Sequence, residues 1–145
     1  MPPMDSRNVF CNCFAARQAA RALTRDYERH LAPSGLTSSQ FSILIVVEER
    51  PGVGMRELAD ELVMDRTSLV RALKPLQRDG LVAVGAAGSG GPRQNALRLT
   101  PAGLAKLAQA IPLWNDAQNE FVERFGGAGP AAEARAALHR MSQLT

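Results

Sequence analysis

Residues 55–100 constrain the fold of this chain more than any other segment, because they read as two short helices followed by two short strands. The first helix carries apolar residues at spacings of three and four, which places them on one face: Met55, Leu58, Ala59 and Leu62. A three-residue turn, 63–65, follows, and Asp65 is a suitable N-cap for a second helix over 66–79. Gly80 is suited to end that helix, since glycine readily adopts the left-handed conformation found there.

Two short strands are predicted after the helix pair, at residues 81–84 and 96–99. The link between them, 85–92, is rich in glycine and therefore flexible. Thr100 and Pro101 then form an N-cap with proline at the first helical position, so another helix begins at once. The order of helix, short turn, helix and hairpin predicts a winged helix-turn-helix.

Positive charge is concentrated in the same segment. Residues 66–100 carry six basic residues against one acidic residue, whereas residues 1–65 carry seven against nine and residues 101–145 carry four of each. The formal net charge of +3 is therefore a local basic patch on a near-neutral body. A basic patch that coincides with a winged helix-turn-helix favours double-stranded DNA as the partner.

The second helix of the pair presents the candidate DNA contacts on the face opposite Leu69, Leu73 and Leu76. Hydroxyl groups at its N-terminus can donate to phosphate, and Arg71 suits a bidentate contact with guanine while Val70 suits a thymine methyl group. The alternative is an ordinary solvated polar face. The candidate DNA-binding residues of this helix are Arg66, Thr67, Ser68, Val70, Arg71 and Lys74.

The flanking segments are predicted to be helical. One long amphipathic helix is expected over about 7–32, with a stripe of small residues along which another helix can approach closely. Two more helices are expected from 101 to about 125 and from Pro130 onward. We therefore predict a single domain over 1–145, mostly α with a small β wing. Its winged helix-turn-helix lobe spans 37–100, and dimerisation helices flank it at 7–33 and 101–145.

Several other classes of protein are disfavoured. The sequence has no pattern of a secretory signal peptide, and its longest strongly apolar run, 43–47, is too short to cross a bilayer, so we expect a soluble, cytoplasmic protein. The glycine-rich link lacks the Lys and Ser/Thr of a phosphate-binding loop, and no His or carboxylate cluster indicates acid–base catalysis. His30 and His139 lack ligand spacing, so we expect no metal, no cofactor and no enzyme activity.

Three motifs give the chain a resemblance to a known family. They are Leu-Ala-x-x-Leu at 58–62, Arg-x-Gly-Leu-Val at 78–82 after a Thr/Ser-rich helix, and Leu-Thr-Pro-x-Gly at 99–103. Together they resemble the multiple-antibiotic-resistance regulator (MarR) family, over essentially the whole chain. The resemblance implies a homodimer whose two winged lobes read a pseudo-palindromic operator. It also implies a transcriptional repressor released by a small-molecule effector or an oxidant, with an effector pocket between the long helices and the winged lobe.

The wing departs from the family pattern. Members usually carry Asp-x-Arg there, with the Asp orienting an Arg for the minor groove, whereas this chain has Gly91-Pro92-Arg93. Arg93 matches the Arg position and is the remaining candidate DNA contact, since an Arg can enter a narrow minor groove. Its orientation must then come from a group other than the missing Asp.

The N-terminal helix resembles that of the organic-peroxide-sensing branch of the family, through Cys13-Phe14-Ala15 and Tyr27. The resemblance implies that Cys13 is the reactive thiol and Tyr27 its hydrogen-bonding partner. Arg17 stands where a second Tyr is expected, and a cation one turn after Cys13 favours the thiolate. The alternative is that Cys13 is a small packing residue. A disulfide with Cys11, about 200° around the helix, would require the helix to fray.

Two function classes other than a DNA-binding regulator stay open. A winged helix can serve as a protein-interaction module without sequence-specific DNA binding, and such a module would bind with little salt dependence. A thiol redox protein would need an activated Cys and turnover. DNA binding through several phosphate contacts should instead weaken steeply with salt.

Overall fold

A computed structural model describes residues 7–85 and 96–144. Helices α1 and α2 span Arg7–Phe10 and Asn12–Leu31, and a 3₁₀ turn, Ala32–Ser34, follows. The central helices are α3 (Ser38–Glu49), α4 (Met55–Leu62) and α5 (Arg66–Arg78). Strands β1 (Val82–Val84) and β2 (Leu97–Leu99) form a hairpin, and helices α6 (Pro101–Arg124) and α7 (Ala128–Ser142) complete the chain. The mostly helical fold with a small wing is confirmed.

Helix α3 is the centre of the core. Thr37 starts it with a capping box, in which the Thr37 hydroxyl accepts from the Gln40 amide and the Gln40 side chain accepts from the Thr37 amide. Around this helix pack the apolar faces of α4, α5, the hairpin and the first half of α6. The fully buried members of this cluster are Leu31, Ile43, Leu44, Val47, Leu58, Leu69, Leu73, Leu76, Leu97 and Leu107.

The start of α6 is fixed against the base of the wing. The Thr100 amide donates to the Leu81 carbonyl at 3.1 Å, and the Thr100 hydroxyl donates to the Gly80 carbonyl at 2.5 Å. Gly103 lies directly on the Leu81 carbonyl, where a Cβ atom would be 2.1 Å from the oxygen. A glycine is therefore required for α6 to approach the wing this closely.

The later part of α6 packs along the C-terminal part of α2. The Tyr27 hydroxyl donates to Gln118, and His30 and Arg29 both meet Glu120, at 2.7 Å and 3.5 Å. By contrast, every described side chain from position 10 to position 22 is exposed. Within the chain, α2 is thus covered only from Leu23 onward, which is nearly its C-terminal half.

Several boundaries differ from the sequence-based expectation, including those of β1 and β2, which each begin one residue later than predicted. The predicted single helix over 7–32 is interrupted at Cys11, which takes extended backbone angles and caps α2. The recognition-type helix α5 ends at Arg78, with Asp79 as its C-cap. The last helix begins at Ala128, because Pro130 is tolerated inside a first turn, where its missing amide would have no partner. Within the described residues, no helix is both long enough and apolar enough to cross a membrane.

Candidate functional site

Helix α5 is held in place by its N-cap. The Asp65 carboxylate accepts from the Ser68 amide and from the Ser68 hydroxyl, both at 2.8 Å. These hydrogen bonds, the backbone one first, lower the pKa of Asp65, because they favour the charged carboxylate. Ser68 was predicted to contact phosphate, but its hydroxyl donates to Asp65 and is half-buried. Its contribution here is to the start of the helix.

The other predicted contacts of α5 share one exposed face. Leu69, Leu73 and Leu76 are buried on the opposite side of the helix. The exposed face lines a shallow groove of about 370 Å³ whose residues are Arg66, Thr67, Val70, Arg71 and Lys74. None of the ion pairs in the described part of the chain involves Arg66, Arg71 or Lys74. This face therefore combines three cations, one hydroxyl and one exposed valine, which are groups that bind phosphates and base edges.

The wing is built on three chain segments. Strands β1 and β2 are antiparallel, with Val82 opposite Leu99 and Val84 opposite Leu97. Val53 adds an isolated bridge, because the Leu97 amide donates to the Val53 carbonyl at 2.9 Å. Sequence analysis missed this third segment, although a valine between Gly52 and Gly54 is a weak strand signal. Arg93, the predicted wing contact, lies outside the described residues.

The two cysteines lie at the break between α1 and α2. Both thiols are exposed in the single chain, so Cys13 does not pack against other residues of its own chain. The Cys11 sulfur accepts from the Phe14 amide at 3.3 Å and thereby caps α2. Arg17, one turn after Cys13, is exposed as well. A Cys11–Cys13 disulfide requires the helix to fray around these residues. Because the helix is already interrupted at Cys11, only the first turn of α2 has to unwind.

Tyr27 lies far from Cys13 within one chain. Fourteen residues of α2 separate the two positions, which is about 21 Å of helix. The Tyr27 hydroxyl instead donates to Gln118, and burial raises the pKa of Tyr27 while the nearby positive charge of Arg135 partly offsets that rise. A hydrogen bond between Tyr27 and Cys13 is therefore possible only between two copies of the chain.

His30 has a structural role that its position in the sequence did not reveal. Its Nε2 lies 2.7 Å from a carboxylate oxygen of Glu120, and its Nδ1 lies 2.9 Å from the Asp26 carbonyl. His30 thus links α2 to α6, and Glu120 was missed because its partner is 90 residues away. His139 is exposed. The described residues contain no group of His, Cys, Asp and Glu side chains arranged to hold a metal ion.

Several cavities border α6, and the two larger ones described next are candidate ligand sites. The larger, of about 490 Å³, lies between α3 and α6, and Phe41 and Trp114 stack across it with ring centroids 6.0 Å apart. Glu49 is the one charged residue among its described lining residues. The smaller, of about 290 Å³, lies between α2, α6 and α7 and includes Tyr27, Phe121 and Arg135. The larger is within the range of about 300–1,000 Å³ that is typical of small-molecule sites, and the smaller lies at its lower limit.

Comparison with known proteins gives consistent results. A family model described as the MarR family matches residues 34–91. The crystal structure of the Mycobacterium tuberculosis transcriptional regulator MosR in complex with DNA is 38% identical, with a TM-score of 0.77, and the match covers 92% of this chain and 96% of that one.

Two further relatives are similar. The transcriptional repressor CouR bound to a 23-mer DNA duplex is 27% identical, with a TM-score of 0.74, and the match covers 97% of this chain and 96% of that one. The HTH-type transcriptional regulator TtmR of Methylorubrum extorquens (strain PA1) is 37% identical over 70 residues, which are 48% of this chain and 36% of TtmR. The match thus spans about a third of that regulator's length.

Proposed function

The chain belongs to the MarR family, and on that premise we propose that it is a dimeric, sequence-specific DNA-binding transcriptional regulator. It acts in the cytoplasm as a repressor that an effector or an oxidant releases from its operator. The observation that carries this proposal is the exposed face of α5, where Arg66, Arg71 and Lys74 have no acidic partner among the described residues. Two similar proteins, MosR and CouR, have been solved with DNA.

Helix α5 enters the major groove through this face. Arg71 lies one turn into the helix, where a planar guanidinium can pair with guanine through two hydrogen bonds. Val70 contacts a thymine methyl group, and Thr67 donates to a phosphate near the helix N-terminus. Arg66 and Lys74 bind phosphates at the two ends of the face. Arg93 of the wing enters the adjacent minor groove.

A second copy of the chain covers the exposed apolar ends. Phe10 is 66% exposed and Phe14 is exposed beside the break at Cys11, and Leu138 and Met141 are exposed on α7. Uncovered large apolar side chains at both chain ends favour an interface. The small exposed residues of α2, such as Ala16 and Ala20, allow a helix of the second copy to approach closely.

The test of the DNA contacts is a comparison of single variants on operator duplexes. Arg71→Ala should lose discrimination at one base pair, at a cost of about 1–3 kcal/mol, whereas Lys74→Ala should weaken binding evenly across sequences. Arg124→Ala is the matched control, since it removes the same charge from an exposed position on α6. Equal affinity of the Arg71 variant and wild type on every sequence would refute the assignment.

Oxidant release is a second component of the proposal, favoured by the placement of two exposed thiols at a helix break. A hydroperoxide oxidises one thiol to a sulfenic acid and leaves as the alcohol, and the second thiol displaces water to form the disulfide. The Cys11 sulfur then no longer caps α2 in its present geometry, and the first turn of the helix unwinds. Tyr27 of a second copy is the hydrogen-bonding partner of the Cys13 thiol.

Mass spectrometry and DNA binding together test this component. Organic hydroperoxide should remove two hydrogens from the wild type and release it from DNA, while Cys13→Ser and Cys11→Ser should stay bound. If the wild type stays bound although both thiols are oxidised, the cysteines do not control DNA binding.

A small-molecule effector would be accommodated by the cavity between α3 and α6. Trp114 is the single tryptophan of the chain and lines this cavity. Intrinsic fluorescence therefore reports directly on its occupancy, and a Trp114→Phe variant serves as the blank. A compound that releases DNA without changing Trp114 fluorescence would locate the effector site elsewhere.

A further inference from the structure

We propose that Lys106 is a positioning residue that sets the angle between α2 and the winged lobe, and thereby the spacing of the two half-sites that a dimer reads. The winged lobe here means residues 37–100, and the elbow means residues 32–36, which join α2 to that lobe. This proposal rests on the proposed function, because spacing has meaning only for a protein that binds DNA as a dimer.

Four successive backbone carbonyls, from the last residue of α2 to Ser34 of the elbow, lie at the end of a helical segment, where they lack the usual partners. The Leu31 carbonyl accepts from the Ser34 hydroxyl at 2.6 Å, and the Ala32 carbonyl accepts from the Gly35 amide at 3.0 Å. The remaining two carbonyls are satisfied from α6. Lys106 Nζ donates to the Ser34 carbonyl at 3.0 Å, and Gln109 Nε2 donates to the Pro33 carbonyl at 3.4 Å.

The bond from Lys106 is well suited to hold the elbow. Ser34 is only 1% exposed, so its carbonyl has little access to water as an alternative partner. The carbonyl end of a helix also carries partial negative charge, which attracts a cation. No ion pair in the described part of the chain involves Lys106, so this ammonium group is committed to the elbow.

Helix α6 transmits the position of the elbow to the DNA-reading surface. Its first turn is fixed to the wing by Thr100 and by the close contact of Gly103 with Leu81. Its later turns are fixed to α2 by Gln118 and Glu120. Lys106 lies between these two regions, one turn after Gly103.

Along the chain the elbow joins α2 to the winged lobe, and α6, which follows the lobe, packs back against α2 and gives a second connection. Each of these two segments contains one residue at which the backbone can bend. Gly35 in the elbow is in the left-handed region, at φ 79°, and Pro112 inside α6 lacks an amide to donate to the preceding turn. Side-chain bonds across the elbow therefore add to the core packing of Leu31 and Leu36 in fixing the angle. Glu28 supplies a second one, since its carboxylate accepts from both the amide and the hydroxyl of Ser38 at 3.2 Å.

A change of this angle has a direct geometrical consequence on DNA. One base pair of spacer moves a half-site by about 3.4 Å along the axis and by roughly 35° around it. A dimer with rigid elbows tolerates one spacing, and a dimer with looser elbows tolerates neighbouring spacings as well. Loss of the Lys106 bond should therefore broaden the accepted spacing without altering the half-site sequence, which α5 reads.

The experiment is selection of binding sites from a random duplex library by the wild-type dimer and by Lys106→Met. Methionine keeps much of the side-chain volume but removes the charge and the donor. We expect the same half-site from both proteins and a wider distribution of spacers from the variant. In titrations, adding or removing one base pair of spacer weakens binding by some factor in the wild type. In Lys106→Met, that factor should be smaller by at least about threefold.

Two further variants complete the design. Lys106→Arg keeps a cationic donor and should restore the single spacing, and Arg140→Met should behave as wild type, because it removes an exposed charge from α7, outside the elbow and its contacts. An unchanged, single spacing for a folded Lys106→Met protein would overturn the proposal. If Lys106→Met does not fold, the test uses Gln109→Leu, which should broaden the accepted spacing to a smaller degree. An unchanged spacing for Gln109→Leu would also overturn the proposal. If the wild type enriches no sequence motif from the library, the proposed function itself is contradicted.

Discussion

Replacement of Gly103 by alanine should destabilise the protein, although alanine is the better helix former. The added Cβ would lie 2.1 Å from the Leu81 oxygen and 3.0 Å from the Leu81 carbonyl carbon. Real Cβ atoms do not approach an oxygen this closely, so α6 and the base of the wing must separate by about 1 Å or more.

The magnitude follows from what that separation disrupts. The Leu81 carbonyl accepts from the Thr100 amide, and the neighbouring Gly80 carbonyl accepts from the Thr100 hydroxyl. Two weakened hydrogen bonds cost about 1 kcal/mol each, and overpacking adds about 1–3 kcal/mol. The gain in helix propensity returns about 1 kcal/mol. The net loss is about 2–4 kcal/mol, or a Tm lower by roughly 6–12 °C at fixed protein concentration.

The assay is thermal and urea unfolding of Gly103→Ala beside Gly129→Ala. Gly129 is also helical, but nothing lies within 4 Å of its hypothetical Cβ, so this control should be as stable as wild type or slightly more stable. Operator affinity should fall in the Gly103 variant, because the wing is displaced from α6. Equal or greater stability of Gly103→Ala would refute the close approach of α6 to Leu81.

Three other predictions concern single side chains. Val63→Gly should raise the free energy of unfolding by about 0.5–1 kcal/mol, because Val63 is 63% exposed and holds a left-handed conformation at φ 53°; urea unfolding checks this. The pKa of Asp65 is lowered in the folded state, so its stabilising effect is present above about pH 4 and lost as pH falls through the folded value. Thermal unfolding from pH 7 to pH 2 should therefore show the wild type approaching Asp65→Ala at low pH, and a constant difference would contradict the cap. The pKa of Tyr27 is raised, so its contribution persists below about pH 10 and is lost as pH rises through the folded value. Tyr27 is the single tyrosine of the chain, so an alkaline absorbance titration measures this directly, and a midpoint at or below about 10 would contradict its burial.

The sequence predicts the winged lobe well because its signals are local. The cap at Asp65, the spacing of Leu69, Leu73 and Leu76, and Gly80 at the helix end each depend on neighbouring residues, and the structure has all three. The exposed face of α5 follows from the same periodicity. The hydrogen bond from the Ser68 hydroxyl to Asp65 was not predicted, although a hydroxyl three residues after an N-cap can turn back to it.

The remaining features depend on contacts that are distant in sequence. The bond from Lys106 to Ser34 spans 72 residues and that from His30 to Glu120 spans 90, so no local pattern marks either pair. The break at Cys11 was missed because the apolar periodicity continues through it, while a sulfur acting as a cap is an uncommon signal. Val53 joined the wing through backbone atoms, which leave no trace in side-chain patterning.

Binding of double-stranded DNA by the exposed face of α5 is tested most directly by a titration with duplex from upstream of the gene at increasing salt. A DNA-binding role of this face predicts tight binding at low salt and a log–log slope that corresponds to several phosphate contacts. It also predicts that the slope becomes shallower by roughly one unit when Lys74 is replaced by alanine. Failure to bind any duplex at low salt, or binding with a flat salt dependence, would contradict it and favour a protein-interaction module.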